Sequence, residues 1–327
     1  NDTDSYIHFF KCRIVLPQNI LKNKSSQIEL SDYIKSFLLL MKPRVMSLVL
    51  FTAMVGLIVA PISVSFTTAS LSLLAVAIGS GAAGALNMWY ESDVDALMSR
   101  TCLRPIPTGK IKREQALLFG VVLSFISIIM LYLSANLISA ILLAVTISFY
   151  FFIYTIWLKR KTAQNIVIGG AAGALPPVIG WAVAMNNISI EPIIMFLIIF
   201  IWTPSHFWAL SLYKFKDYEK AKIPMLPITA GIKKTKLNIL VYAIFMFPVV
   251  ITPFFIGFGS IVYLALSLGM TIYYISLCYL LYKTKAVSKS NLIARKVFVY
   301  SIFYLFFLFL LILFDNLFKL NEIIRFF

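Results

Sequence analysis

Asn87, Glu91 and Asp95 stand four residues apart. On a continuous helix such positions drift by only about 40° per step and share one stripe about 12 Å long. Three oxygen ligands on one stripe suit Mg2+, which takes one or two carboxylates and completes its shell with water and substrate phosphate. Asp93 points elsewhere on the same helix. A solvated acidic helix end has the same pattern, and the spacing alone leaves both readings open. The next residues bear on the choice. The stretch from Arg100 to Lys110 supplies Arg100, Arg104 and Lys110, and guanidinium forks grip phosphate oxygens. The tendency of basic residues to gather on one membrane face explains such bases but not the acids beside them. A metal-bound diphosphate requires both.

A second acidic pair, Asp217 and Glu219, lies beyond another apolar stretch, with Lys216 just before it. Carboxylates near membrane depth are costly and usually have a task. Within that stretch lies His206, one of two histidines in the chain. The alternatives for it are a packed, hydrogen-bonded imidazole, a proton donor or acceptor, and a contact to a ligand.

The elements that carry these residues follow from composition. Of 327 residues 61% are hydrophobic and 13% charged, with a mean hydropathy of +0.91, whereas soluble domains carry about 25% charged residues. A bilayer-crossing helix needs about 20 apolar residues. The pattern predicts nine spans, near 46–62, 69–90, 115–134, 136–158, 164–184, 190–213, 237–257, 260–282 and 297–316. The fold class is thus an all-α polytopic membrane protein of about nine transmembrane helices around a central cavity. Segment 45–316 forms that domain, 1–44 a cytoplasmic tail ending in an interfacial helix over 31–42, and 317–327 a short external tail.

With this assignment 27 of the 29 lysines and arginines fall on one side, so the N-terminus is expected in the cytoplasm and the C-terminus outside. The net charge of +16 then reflects orientation and anionic lipid rather than nucleic acid. The first residues, with Asp2 and Asp4, do not read as a signal peptide. The three cysteines follow no metal-ligand spacing. Spans two and six both end in acids on the same face, which suggests two four-helix halves facing across one aromatic-lined cavity, with span nine outside that count of eight. The hexapeptide Gly-Ala-Ala-Gly-Ala-Leu occurs at 81–86 and 170–175; such small residues let helix backbones approach closely, the preferred reading, or leave room for a flat ligand. A transporter is the rival from another class, but transporters place polar residues near the midplane, and here the acids sit at one face.

Lys42-Pro43-Arg44-Val45, the stretch Asn87–Gly109, Leu158-Lys159-Arg160 with Asn165–Trp181, and Trp202–Pro227 resemble the intramembrane UbiA-type prenyltransferases. Within them, Ile223-Pro224-Met225-Leu226-Pro227 resembles the branch that farnesylates protohaem IX. The resemblance runs from about Tyr33 to span nine. It implies nine helices around a cavity, with two acidic motifs holding Mg2+ and an allylic diphosphate. The first motif has the form NxxxDxxxD. Asn87 and Asp95 match it, and Glu91 stands where Asp is usual. The second has the form DxxxD. Asp217 matches its first acid, while Ala221 occupies the second position and Glu219 offers a carboxylate from another face. The implied metal set is Asn87, Glu91, Asp95 and Asp217. The implied diphosphate contacts are Arg100, Arg104, Lys110, Lys159, Arg160 and Lys216, and His206 is implied near haem or the reacting centre. The substrates implied are farnesyl diphosphate and haem B, the product haem O. Another aromatic acceptor is the alternative within the family. The first residues do not read as a transit peptide, so a bacterial inner membrane is expected rather than the mitochondrial one, and family analogy implies a haem A synthase or oxidase-assembly partner.

Overall fold

The computed structural model describes residues 30–318. The expected cytoplasmic tail as far as residue 29, and the expected external tail from 319 on with Lys319 and Arg325, lie outside the described residues. Helices α1 (Leu30–Leu40) and α2 (Pro43–Ile58) form a bent pair, 51° apart. The elbow follows from two residues. Lys42 takes a left-handed φ of 53°, and Pro43 opens α2 where a helix has an unpaired N–H in any case. Then come α3 (Phe66–Tyr90), the short α4 (Ser92–Leu97), α5 (Arg113–Ser134) and α6 (Leu137–Ser148), which runs into a π-helix (Phe149–Leu158). Helices α7 (Asn165–Ala174) and α8 (Pro176–Met185) form one span broken at the Pro176-Pro177 pair, which cannot donate to the preceding turn. Helix α9 (Ile190–Tyr213), short α10 (Phe215–Lys220) and α11 (Leu226–Thr229), and long α12 (Ile232–Phe255), α13 (Ile261–Lys283) and α14 (Val287–Leu317) complete the chain.

Eight of these spans are long and apolar enough to cross a bilayer. Helix α2, with 16 residues, is about 24 Å long, short of the roughly 30 Å hydrocarbon core. It makes the ninth span only together with α1. Consecutive spans are neighbours, and α14 returns to touch α2, which closes the ring. Span nine, which falls outside the count of the two four-helix halves, is part of the bundle. Helix α14 packs along α9 and α13, and its Val297, Tyr304, Leu308 and Phe309 are fully buried. Without a hydrophobic drive between helices in lipid, packing and interhelical hydrogen bonds decide such contacts. Here the Trp202 indole N–H donates to the Ser301 carbonyl at 2.8 Å.

The glycines of the repeated hexapeptide mostly serve close packing. A Cβ at Gly81 would meet the Met41 side chain, one at Gly84 the Leu40 carbonyl at 3.3 Å, and one at Gly170 the Thr203 side chain at 3.0 Å. Gly173 differs: nothing lies within 4 Å of its Cβ direction, because it faces the cavity described below. At the opposite end of the bundle, buried Asp315 of α14 accepts from the Ser260 N–H at 2.5 Å and from its hydroxyl. That carboxylate seats the short α12–α13 turn at the positive end of α13, where negative charge is favoured.

Candidate functional site

Helix α3 deviates at Glu91 (φ −95°, ψ 11°), yet the Glu91 N–H still donates to the Asn87 carbonyl and the Asp95 N–H to the Glu91 carbonyl at 2.8 Å. The four-residue step therefore survives the break, and Asn87, Glu91 and Asp95 keep the stripe expected of them. They are 1%, 3% and 3% exposed. Buried carboxylates need partners, and each polar group on the stripe has one. Glu91 Oε2 pairs with Lys159 Nζ at 2.5 Å. Arg104 Nη1 donates to both Asp95 oxygens, at 2.9 and 2.7 Å. Lys42 Nζ donates to Asn87 Oδ1 at 2.5 Å.

Arg104 reaches Asp95 because the connecting loop folds back. The Thr101 hydroxyl donates to the Asp95 carbonyl at 2.9 Å, and the Arg104 N–H to the Thr101 carbonyl at 3.0 Å. Gly109 turns the loop away at φ +75°, a conformation that suits a residue without Cβ. Burial opposes ionisation of Glu91, but the charge and hydrogen bond of Lys159 outweigh it and hold the carboxyl below its usual range. A lowered carboxylate contributes stability above its unfolded pKa. That contribution persists at neutral pH and fades as the medium is acidified through the folded value.

Asp93 turns outward, as expected, to an exposed pair with Arg160 at 2.7 and 3.0 Å. Hydrogen bonding to Arg160 lowers its carboxyl despite partial burial, and the same bond raises the guanidinium. Exposed pairs of this kind contribute about 0–1 kcal/mol. Asp93→Asn is accordingly expected to leave both the unfolding midpoint in detergent and the turnover near wild type. A loss of activity comparable with that from changes at Asp95 would move Asp93 into the working set.

The second acidic region comes to the same place. Asp217, at the start of α10, accepts from the Ser99 hydroxyl at 2.8 Å, and Ser99 lies two residues past the end of α4. The ends of α3 and α9 are thus tied together, 118 residues apart in sequence. Arg100, Lys110, Lys216 and Glu219 are exposed around this end of the bundle. Among the described residues no group of three or more His, Cys, Asp and Glu is gathered. The donor set still fits Mg2+, which needs few protein carboxylates when phosphate oxygens fill its shell.

Below the stripe lies a cavity of about 120 Å³, enclosed by the α1–α2 elbow, α3, α6 with its π-helix, and the α7–α8 break. Lys42 lines its upper wall, and along α3 the wall runs from Gly84 to Val76, about 12 Å at helical rise. The expected aromatic lining is not found. The wall is aliphatic and small, with Tyr150 as its one aromatic ring. Many of the rings are instead stacked within the α9–α13–α14 core, as in the Tyr274–Tyr304 pair at 5.1 Å. His206 is there too. Its Nδ1 is 2.6 Å from the Ser301 hydroxyl, and its ring is stacked between Trp202 and Phe298. It does not line the cavity, so the surroundings match the packed alternative.

Sequence reasoning named Lys42 only as part of the family-like stretch Lys42–Val45, with no role of its own, and did not single out Ser99 or Thr155. Thr155 accepts from Asn87 Nδ2 at 3.1 Å. A lysine ahead of a span reads as charge bias and a threonine inside one as filler, so neither reveals its role without the fold.

Residues 49–302 match the model of the UbiA prenyltransferase family. The chain belongs to this family. Among its relatives, the protoheme IX farnesyltransferase of Pelagibacter ubique is 60% identical over 91% of this chain and 98% of its own length. That of Ehrlichia ruminantium is 50% identical over 88% of this chain and 95% of its own. The UbiA fold is also shared with solved structures at low identity. A digeranylgeranylglyceryl phosphate synthase superposes with a TM-score of 0.73 at 18% identity, covering 87% of this chain and 99% of its own. A UbiA homologue from Archaeoglobus fulgidus bound to GPP and Mg2+ gives 0.63 at 18%, covering 85% and 99%. This UbiA member is therefore a multi-pass membrane transferase, and its paired acids and bases stand at the head of an apolar cavity.

Proposed function

We propose that the protein transfers a farnesyl group from farnesyl diphosphate to a vinyl group of haem B, giving haem O and releasing diphosphate. The observation that carries the donor half is Lys42, which both lines the apolar cavity and bonds Asn87 on the acidic stripe. A ligand with an apolar chain and an anionic head fits that junction. The acceptor half is supported by the full-length relatives bearing the protoheme IX farnesyltransferase name.

In this reading Asn87, Glu91 and Asp95, with Asp217 from the far side, hold Mg2+. Bound there with the diphosphate, Mg2+ supplies Lewis-acid polarisation of the phosphate oxygens. Arg104, Lys159 and Lys42 already lie against the stripe and neutralise charge gathering on the departing group, an effect that is strong where water is excluded. Arg100, Lys110, Arg160 and Lys216 form a basic rim that draws the anionic substrate inward. The allylic C–O bond breaks with its electron pair leaving on diphosphate, and the aliphatic walls keep water from the cation. The vinyl terminus forms the new C–C bond. Water then captures the cation formed beside the porphyrin and gives up a proton, leaving a hydroxyethylfarnesyl side chain. The basic end faces the cytoplasm in this reading, and the membrane is a bacterial inner membrane.

Membranes containing the protein, incubated with haem B, farnesyl diphosphate and Mg2+, are expected to yield haem heavier by one farnesyl group plus water. Chelation by EDTA is expected to abolish the gain and added Mg2+ to restore it. Full turnover in EDTA would remove the metal from the scheme. Prenylation of a phenolic acceptor but not of haem would overturn the acceptor assignment.

A further inference from the structure

The second half of span four is wound as a ten-residue π-helix, Phe149–Leu158. Such helices occur mostly as single-turn bulges, often at functional sites. Two contacts, one from this element and one from Lys159 just past its end, start four residues apart and land four residues apart on the stripe: Thr155 on Asn87, and Lys159 on Glu91. The π register makes the first of them directional. The Thr155 hydroxyl donates to the carbonyl of Tyr150, five residues back, at 2.8 Å. A threonine in an α-helix bonds back three or four residues instead. With its proton committed, the Thr155 oxygen can only accept from Asn87, and it takes the amide NH2 at 3.1 Å. On the other side stands Lys42, whose Nζ donates to Asn87 Oδ1 at 2.5 Å. A 180° flip of the amide would set NH2 against the Lys42 N–H and oxygen against the Thr155 lone pair. Thr155 is fully buried and Asn87 is 1% exposed, so water cannot repair either clash.

We infer that Thr155 is a positioning residue that fixes the Asn87 amide with its oxygen, not its nitrogen, toward the metal–diphosphate position. The inference rests on the function proposed above. Partners that orient a metal-binding group typically change affinity or activity by about 10–100-fold when removed. Thr155→Val keeps the β-branched shape and removes the hydroxyl, and Thr155→Ser keeps the hydroxyl and removes a methyl.

The test compares wild type and both variants in detergent. It measures Mn2+ binding in the presence of inorganic diphosphate by electron paramagnetic resonance, turnover of haem B with farnesyl diphosphate, and the thermal unfolding midpoint. The expected result is a loss of about 10–100-fold in Mn2+ affinity for Thr155→Val, affinity near wild type for Thr155→Ser, and similar unfolding midpoints for all three. Equal Mn2+ affinity in Thr155→Val and wild type overturns the inference. So does equal damage in the serine variant, because packing rather than the hydroxyl would then be at stake. Absence of wild-type turnover overturns the function proposed above, while the Mn2+ comparison still decides the role of Thr155.

Discussion

Replacing Asp95 by asparagine is expected to lower farnesyl transfer by about 10²–10³-fold, the loss seen when one preorganised electrostatic group is removed from a water-excluded site. The substitution keeps the shape of the side chain and removes its charge. Asp95 is 3% exposed and both of its oxygens engage Arg104. In the proposed scheme the same carboxylate holds Mg2+, so the variant loses a metal ligand and frees Arg104 from its counter-ion. Breaking a fully buried pair costs about 3–5 kcal/mol. The Arg104 side chain is 23% exposed, so water offsets part of that and the folded state is expected to survive. The measurements are kcat and KM for farnesyl diphosphate as Mg2+ is varied, beside an unfolding scan. A fall in kcat with a raised Mg2+ requirement and a folded protein is the expected set. An Asp95→Asn enzyme that keeps more than about a tenth of wild-type turnover would contradict so large a role for the charge.

Gly180→Ala is expected to have the largest effect on stability. A Cβ at Gly180 of α8 would lie 1.9 Å from the Ala53 carbonyl oxygen of α2. Reciprocally, one at Gly56 of α2 would lie 2.1 Å from the Pro177 carbonyl oxygen of α8. Each glycine admits the other helix's backbone, and backbone cannot rotate aside as a side chain can. Overpacking typically costs about 1–3 kcal/mol, occasionally more, and this contact belongs at or above the top of that range. The two substitutions share one remedy, separation of α2 from α8. The double variant is therefore expected to cost less than the sum of the singles, as for sites that relax through a common shift. The separation also widens the cavity, since Val45, Met46 and Val49 on α2 and Pro176 and Ile179 on α8 form its walls. Gly173→Ala, on the same broken span but with open space before its Cβ, serves as the control and is expected to leave the unfolding midpoint unchanged. An unchanged midpoint for Gly180→Ala would show that the two helices are not held in this contact.

What the sequence determined by itself was set by composition and by local spacing. Runs of about 20 apolar residues require helices, because no other backbone can satisfy its own hydrogen bonds in lipid. The step of four from Asn87 to Glu91 to Asp95 requires one stripe on any helix-like path, and it survived the break at Glu91 because the i to i+4 bonds cross it. The acids at the ends of spans two and six were legible as a pair for the same local reason.

Tertiary structure alone decided which base meets which acid, where the cavity opens, and what surrounds His206. A span that is apolar all round gives no periodic signal of the face it turns inward, so its rotation is fixed only by its neighbours. Lys42 reaches Asn87 from 45 residues away through a left-handed elbow. Thr155 and Lys159 reach the stripe from 68 residues away through a π register that nothing in the apolar run announces. The aromatic content was legible, but its place was not: stacking and hydroxyl pairing among Tyr274, Tyr304 and Ser205 hold those rings in the α9–α13–α14 core. The cavity is left to residues small enough for α3, α6 and α7 to surround it.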